Sequence, residues 1–344
     1  MTLFQGHFAM APDENAKTNL PFSIGGVTQN GKHNPPHNNQ DAMAIYTDSQ
    51  IIIGVVSDGC AGPSPIGEND YSFNEMGAQL SCLVTVNAIR DTLTKDSKLD
   101  QEFVDKVNNA LLKSLITFSQ FAGKKPIERK HVLLEFFTAT LLTVVITKTQ
   151  YIIFTAGDGI IGINNKLHIL DDQSGIYPTH DVLAMLNFIE PRSEKAMRIF
   201  EFGDTKNLQN VMLASDGIED LIDSKSDEIN ILLKSKPLKK CDPGYDPVFD
   251  REFRKKVVFP LDSKIKSKLH DDRTLILVRR LQENNLIDEQ IQIQDNQIST
   301  SLSDEPMPKP LQQATDSNKT NENMQVNPME PVSGQEPQDK EDIE

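Results

Sequence analysis

The sequence predicts an α+β fold in which two antiparallel β-sheets are stacked on one another and flanked by helices. Apolar, strand-like segments occur in two blocks, residues 22–57 and 138–278, and two long helical segments lie between the blocks. Runs of strands separated from runs of helices are typical of α+β architectures, whereas strict β-α-β alternation is typical of parallel sheets.

The first block predicts strands at residues 22–28, 42–47 and 51–57 because each is an apolar run rich in β-forming residues. Helices are predicted at residues 69–90 and 101–121 because apolar side chains recur there at three- and four-residue steps. The side chains expected to face the core are Met76, Leu80, Leu83, Val84 and Val86 in the first helix and Val104, Val107, Leu111, Leu115 and Phe118 in the second.

The second block predicts strands at residues 138–147, 151–156, 160–163, 167–170, 197–202, 211–215 and 274–278. Asn164 and Asn165 fit a hairpin turn between the third and fourth of these strands. That hairpin argues against a dinucleotide-binding loop at residues 157–162, because no helix would follow the glycines. Residues 171–195 are expected to form an inserted loop with a short helix, and another helix is expected after Gly217.

The C-terminal segment differs in composition from the rest of the chain. The 344 residues carry a formal net charge of −15, and residues 281–344 contain 14 acidic residues, 3 basic residues and no aromatic residue. Such a segment cannot bury enough apolar surface to offset chain entropy, so we expect a disordered tail. Residues 21–280 are long enough for one folded domain, and residues 1–20 are expected to be an N-terminal extension.

Composition also argues against several classes of protein. The longest apolar run, residues 133–146, contains Glu135 and is shorter than the about 20 residues that span a membrane. The N-terminus does not resemble a signal peptide, and the three cysteines fit neither a disulfide framework nor a zinc site. Because the chain is acidic, nucleic-acid binding is not expected. These features predict a cytoplasmic protein that binds neither membrane nor nucleic acid.

Acidic residues recur at the ends of the apolar strands. Asp58-Gly59, Asp158-Gly159 and Asp216-Gly217 each end one strand, Asp41 precedes another, and Asp271-Asp272 precedes the last. Several carboxylates that meet at the rim of a core must be neutralised by protons or by cations. Oxygen ligands favour hard ions such as magnesium, manganese or calcium. Asp-Gly is also an ordinary turn signal, so the residues alone leave a simple turn open at each position.

Cys60, beside Asp58, is expected to have a raised thiol pKa and a structural role.

The segments that carry these acids resemble the motifs of the metal-dependent protein phosphatases of the 2C class. The similar segments are Asn39-Gln40-Asp41-Ala42, Val56-Ser57-Asp58-Gly59, Gly157-Asp158-Gly159, Ala214-Ser215-Asp216-Gly217 and Asp271-Asp272-Arg273-Thr274, in the order of the family. The resemblance implies a four-layer α-β-β-α sandwich, with a catalytic domain at residues 21–280 and a flap at residues 171–195. It also implies two or three divalent ions, magnesium or manganese, as cofactors.

The resemblance further implies roles for single residues. Asp58, the Gly59 carbonyl, Asp216 and Asp271 would bind two metal ions, Asp158 with Asp216 would bind a third, and Asp41 would act as the catalytic residue that holds a metal-bound water. The implied reaction is attack of a metal-bridging hydroxide on phosphorus, in line with the leaving group. No side-chain nucleophile is required.

One position departs from the family pattern. Pro36 stands where an arginine that grips the substrate phosphate is usual, three residues before the asparagine of the first motif. His37 and His33 are the candidates to contact the phosphate instead, although the same stretch fits a surface loop. The expected function is hydrolysis of phosphoserine and phosphothreonine in phosphoproteins by a monomer. The alternative is a weak or inactive module of the same fold that binds a phosphoprotein or a regulatory partner.

Overall fold

Two stacked six-stranded sheets form the centre of the structure, which is a computed structural model. The described residues are 8–10, 18–29, 39–60, 74–94, 97–164, 166–170, 176–219, 243–245 and 272–281. The first sheet contains β1 (Phe8–Met10), β3 (Ala42–Thr47), β4 (Ile51–Ser57), β5 (Leu141–Thr147), β6 (Gln150–Ala156) and β9 (Arg198–Asp204), in the order β1-β3-β4-β5-β6-β9. The second contains β2 (Phe22–Gln29), β7 (Gly159–Ile163), β8 (Lys166–Leu170), β10 (Asn210–Ala214), β11 (Gly244–Tyr245) and β12 (Arg273–Arg280), in the order β11-β2-β12-β10-β7-β8.

Four helices are described in addition to the sheets. They are α1 (Glu75–Thr92), α2 (Gln101–Ala122), α3 (Pro126–Phe136) and α4 (Pro178–Met185), and short 3-10 turns occur at Thr205–Asn207 and Asp216–Ile218. The predicted α+β class with two stacked antiparallel sheets is confirmed. Two short outer strands that were not predicted, β1 and β11, differ in that they pair in parallel with β3 and β2.

The central strands are apolar on both faces because both faces are buried. In β4, Ile52 and Val56 pack in the interface between the two sheets, whereas Ile51, Ile53 and Val55 pack in the layer formed with the helices. This burial on both sides explains why the sequence of β4 is a continuous apolar run rather than an alternating one. The hairpin of β7 and β8 is confirmed, and its turn residue Asn164 has φ +47°.

Helix α3 was not predicted, since no element was assigned to residues 122–137. Pro126 is the first residue of the helix, a position where its fixed φ is favourable and its missing N–H is not needed. The Glu128 carboxylate accepts hydrogen bonds from the backbone N–H groups of Lys124 and Lys125, at 2.9 and 3.0 Å. These bonds satisfy donors that a helix N-terminus otherwise leaves without partners.

The predicted core faces of α1 and α2 are wrong in part. Met76 and Leu83 are 51% and 38% exposed, and Phe118 of α2 is 45% exposed. The buried face of α1 is formed largely by small residues, Gly77, Ala78, Ser81, Cys82, Thr85, Val86, Ala88 and Ile89. The reason is close packing, since a Cβ atom on Gly77 would lie 2.6 Å from the Cα atom of Phe137.

Several predictions fall partly on residues outside the described part of the chain. The expected loop and short helix at residues 171–195 is described from residue 176 and contains α4. The helix expected after Gly217 is represented by the turn Asp216–Ile218, and its continuation and the acidic tail lie outside the described residues. All described residues belong to one compact unit, Met1–Ile291, and the second unit, Gln292–Glu344, contains none of them. Among the described helices, none is long and apolar enough to cross a membrane.

Candidate metal centre

Four of the predicted acids lie at the same end of the two sheets. In the first sheet Ala42 pairs with Ser57, which places Asp41 beside Asp58 at adjacent strand ends. In the second sheet Ala214 pairs with Ile160, so Asp216 and Asp158 also lie near neighbouring strand ends. Asp271, His33 and His37 lie outside the described residues, so the structure does not place these three predicted site residues.

A hydrogen bond between the sheets brings the two pairs of strand ends together. The Ser215 hydroxyl, just after β10 of the second sheet, donates to Asp41 Oδ2 at 2.7 Å, and Asp41 precedes β3 of the first sheet. Asp272 makes a second connection, since its Oδ2 accepts the backbone N–H of Gln40 at 2.6 Å. These contacts join segments that lie 174 and 232 residues apart in the sequence.

The segment that carries Asp58 is held on both sides by backbone contacts. Asp58 N–H donates to Thr140 Oγ1 at 2.9 Å, and the Asp58 carbonyl accepts the Thr140 N–H at 2.8 Å. The following Gly59 passes so close to Asn74 and Gln40 that a Cβ atom would lie 2.7 Å from the Asn74 carbonyl oxygen and 2.9 Å from that of Gln40. Only glycine fits there without displacing backbone, which explains the Asp-Gly sequence at this strand end.

Asp41 is the most deeply buried of the described acids, with 1% of its surface exposed. The pKa of the Asp41 carboxyl is raised to about 7, mainly by burial and further by the negative charge of Asp272, while hydrogen bonds with Ser215, Asp58 and Thr274 oppose the rise. Its Oδ2 atom accepts the Ser215 hydroxyl, whereas its Oδ1 atom is buried with no hydrogen-bond partner among the described residues. A buried carboxylate oxygen in this state is suited to bind a proton, a water molecule or a cation.

Cys60 shows that the other three acids share one environment. Burial raises the pKa of its thiol, and the charges of Asp58, Asp158 and Asp216 raise it further, while a hydrogen bond with Tyr177 has the opposite effect. The expectation that acidic neighbours raise this pKa is confirmed for Asp58. Asp58, Asp158 and Asp216 are partly exposed, so solutes can reach this group of carboxylates.

The chemistry of the residues present fits a site for hard divalent cations, and the described residues form part of such a site. The side chains that meet at this end are carboxylates, their repulsion is relieved by positive charge, and Asp41 Oδ1 is buried without a partner in the described part of the chain. Among the residues that the structure describes, no three His, Cys, Asp or Glu side chains are close enough to hold an ion by themselves. The expected ligand Asp271 lies outside that set.

Sequence reasoning missed several residues that shape the site. Ser215 donates a hydrogen bond to Asp41, and Thr140 accepts one from the backbone N–H of Asp58. The ring of Tyr177 packs against Gly157, next to Asp158. Ser215 lies in the segment Ala214-Ser215-Asp216-Gly217, and its position between an apolar strand and an acid is the signal that could have identified it. No sequence pattern distinguishes Tyr177, because its contact depends on how α4 folds back onto the sandwich.

Comparison with known proteins identifies the family. The family model of protein phosphatase 2C matches residues 34–251, more than half of the chain. The chain belongs to the protein phosphatase 2C family. The matched range of this 2C chain includes Asp41, Asp58, Asp158 and Asp216, and it ends before Asp271.

Solved structures of phosphatases are similar to this 2C family member at low identity. A bacterial serine phosphatase is 15% identical, with 75% of this chain and 97% of that chain covered and a TM-score of 0.47. Phosphatase Stp1 from Staphylococcus aureus is 13% identical, with 78% and 98% covered and a TM-score of 0.45. The catalytic domain of the phosphatase PstP, in complex with two manganese ions, is 16% identical, with 76% and 99% covered and a TM-score of 0.42. No curated protein matches the chain.

Proposed function

We propose that this protein phosphatase 2C family member hydrolyses phosphoserine and phosphothreonine in phosphoproteins, with magnesium or manganese as cofactor. The observation that carries the proposal is the meeting of acidic strand ends from both sheets. Asp41 and Asp58 of the first sheet meet the Ser215-Asp216 segment of the second through the hydrogen bond from Ser215 to Asp41.

Two or three ions would be held by Asp58, the Gly59 carbonyl, Asp158, Asp216 and Asp271. When bound, divalent ions lower the pKa of bound water and offset negative charge on the phosphoryl oxygens. The chain contributes the orientation of these ligands. Hydrogen bonds with Thr140 fix Asp58, and the Gly59 N–H donates to the Gln40 carbonyl at 3.2 Å, which holds the backbone at Gly59.

Asp41 would orient water beside the ions rather than form a covalent bond to phosphorus. Its Oδ2 atom is held by Ser215, so Oδ1 is the oxygen that can accept a hydrogen bond from water. Positive charge near Asp41 lowers its pKa, because it favours the carboxylate. With cations present, Asp41 is therefore expected to be ionised and to accept a proton at Oδ1 near neutral pH.

The remaining parts of the proposal concern the surroundings of the reaction. His37 and His33 are proposed to contact the substrate phosphate in place of the usual arginine, since Pro36 carries no charge. We also propose a monomer that acts in the cytoplasm. Cys60 and Cys82 are free thiols in the structure, which suits a reducing compartment.

Turnover of phosphopeptides tests the proposed activity. Wild type should release phosphate from phosphoserine and phosphothreonine peptides in manganese or magnesium, less so in calcium, and not in EDTA. Asp216→Ala should remove the metal-dependent rate. Asp204→Ala is the matched control, because Asp204 lies at the end of the outer strand β9 in an exposed ion pair with Lys206. Equal rates in wild type and Asp216→Ala would refute the proposal.

Pro36 favours the second candidate, a module that binds a phosphoprotein without hydrolysing it. Loss of an arginine that grips phosphate weakens substrate binding and turnover. Fluorescence anisotropy with labelled phosphopeptides separates the two candidates. Binding that depends on the phosphate, with no phosphate released over many hours in manganese, would support the module and not the enzyme.

A further inference from the structure

A closed ring of buried hydrogen bonds lies behind Asp41. Ser215 Oγ donates to Asp41 Oδ2 at 2.7 Å and accepts the backbone N–H of Thr274 at 2.9 Å. The hydroxyls of Thr274 and Thr28 are hydrogen-bonded at 2.8 Å. Asn39 Nδ2 donates to Thr28 Oγ1 at 2.7 Å, and Asn39 Oδ1 accepts the Asp41 N–H at 3.0 Å, which returns to the starting residue. We call these five residues the Asp41 ring.

The Asp41 ring is buried and crosses between the sheets. Its most exposed member, Thr28, is 8% exposed, and the other four are exposed by 1% or less. Thr28 lies in β2, Thr274 lies in β12 and Ser215 follows β10, all of the second sheet, whereas Asp41 leads into β3 of the first. Buried polar groups are tolerated only when they are hydrogen-bonded. Because apolar residues of the same shape can replace a satisfied pair at little loss of stability, stability alone does not account for the ring.

The ring holds Asp41 asymmetrically. Its bonds reach Oδ2 and the backbone N–H of Asp41, whereas Oδ1 has no hydrogen-bond partner among the residues described. The ring therefore fixes which carboxylate oxygen of Asp41 is left without a partner in the described part of the chain.

We propose that Ser215 and Thr274 are positioning residues, which orient the Asp41 carboxylate toward the acid cluster, by which we mean Asp58, Asp158 and Asp216. By holding Asp41 in this way they set the affinity of the acid cluster for divalent cations. The inference rests on the proposed function only in taking the acid cluster as a metal site. Partners that orient residues around a metal typically contribute about 10–100-fold to metal affinity or activity. The same range is expected for the loss of either hydroxyl.

The test compares variants that keep or remove one hydroxyl. Thr274→Val keeps the shape of the side chain and removes the hydroxyl, whereas Thr274→Ser keeps the hydroxyl. Ser215→Ala removes the bond to Asp41 directly. The matched control is Thr143→Val, because the Thr143 hydroxyl in β5 is also buried and has no partner in the described part of the chain. Calorimetric titration with manganese chloride measures affinity, and melting in EDTA measures the fold.

The expected result is manganese affinity weakened about 10–100-fold in Thr274→Val and Ser215→Ala, and close to wild type in Thr274→Ser and Thr143→Val. Lost phosphopeptide turnover should return at high manganese concentration. If Thr274→Val does not fold, Ser215→Ala and Thr28→Val decide, since Thr28→Val opens the ring at its far side.

Wild-type affinity in folded Ser215→Ala and Thr274→Val would overturn the inference, as would a wild type that binds no manganese. A protein that binds manganese but hydrolyses no phosphopeptide would refute the proposed function alone. The titrations would then still decide the role of the ring.

Discussion

Gly217 offers the sharpest test of how the site is assembled. A Cβ atom at this position would lie 1.9 Å from the carbonyl oxygen of Asp272, whereas real Cβ atoms do not approach other atoms closer than 3.0 Å. Gly217→Ala therefore requires a shift of about 1 Å between the turn after β10 and the start of β12. Asp272 accepts the N–H of Gln40, so the shift is transmitted to the residue next to Asp41. A misplacement of about 1 Å can lower a catalysed rate by about 100-fold.

Two measurements follow from this displacement. Gly217→Ala is expected to lower kcat/KM for a phosphopeptide by about 100-fold and to destabilise the fold by about 1–3 kcal/mol, the usual range for overpacking. Gly203→Ala, on the outer strand β9, is the matched control, because the atoms nearest to its Cβ atom would belong to the Tyr151 side chain, the closest at 3.1 Å. If Gly217→Ala has the kinetics and the urea midpoint of wild type, the packing of this turn on β12 does not position the acids.

Three further predictions test the electrostatics and the scaffold. Because the pKa of Asp41 is raised to about 7, its ionisation destabilises the metal-free fold as pH rises from about 4 to 7. Asp41→Asn should therefore have a higher melting temperature than wild type in EDTA at pH 8, but not at pH 4. It should also lose phosphopeptide turnover. Parallel melting curves of the two proteins at both pH values would contradict this. Phe154→Ala should lower the free energy of unfolding in urea by about 3–5 kcal/mol, since Phe154 is fully buried between the first sheet and the helices. A loss below about 1 kcal/mol would show that the surrounding side chains collapse into the cavity at residue 154. Asp100→Ala should destabilise by about 1 kcal/mol by removing the cap on Phe103 N–H, whereas Asp100→Asn keeps an acceptor, so equal losses in both would exclude the cap as the cause.

The sequence predicted the strands well where burial on both faces makes them continuous apolar runs. Two predicted strands, 42–47 and 51–57, have the observed bounds of β3 and β4. The core face of α1 was wrong in part because Gly77 and its small neighbours pack against Phe137, and periodicity scores large apolar residues above small ones. Helix α3 was not predicted, although Pro126 stands at its first position, where proline is common.

The candidate site was predictable only in part, because the residues that contact one another there lie far apart in the sequence. The acids could be proposed because each follows or precedes an apolar strand, which is a local pattern. The partners that orient them could not, since Ser215 meets Asp41 across 174 residues and Thr274 meets Thr28 across 246. Such pairings depend on strand order and register, which no local pattern encodes.

The acids are divided between two sheets, so the geometry of the pocket depends on how the two sheets are aligned. A substitution far from the pocket, in the apolar layer between the sheets, can impair catalysis without touching an acid if it lets one sheet slide over the other. An ion held by carboxylates from both sheets would cross-link the two sheets. Its binding free energy would then add to the resistance of the sandwich to opening, so depletion of divalent ions should expose this end to hydrogen exchange before the other.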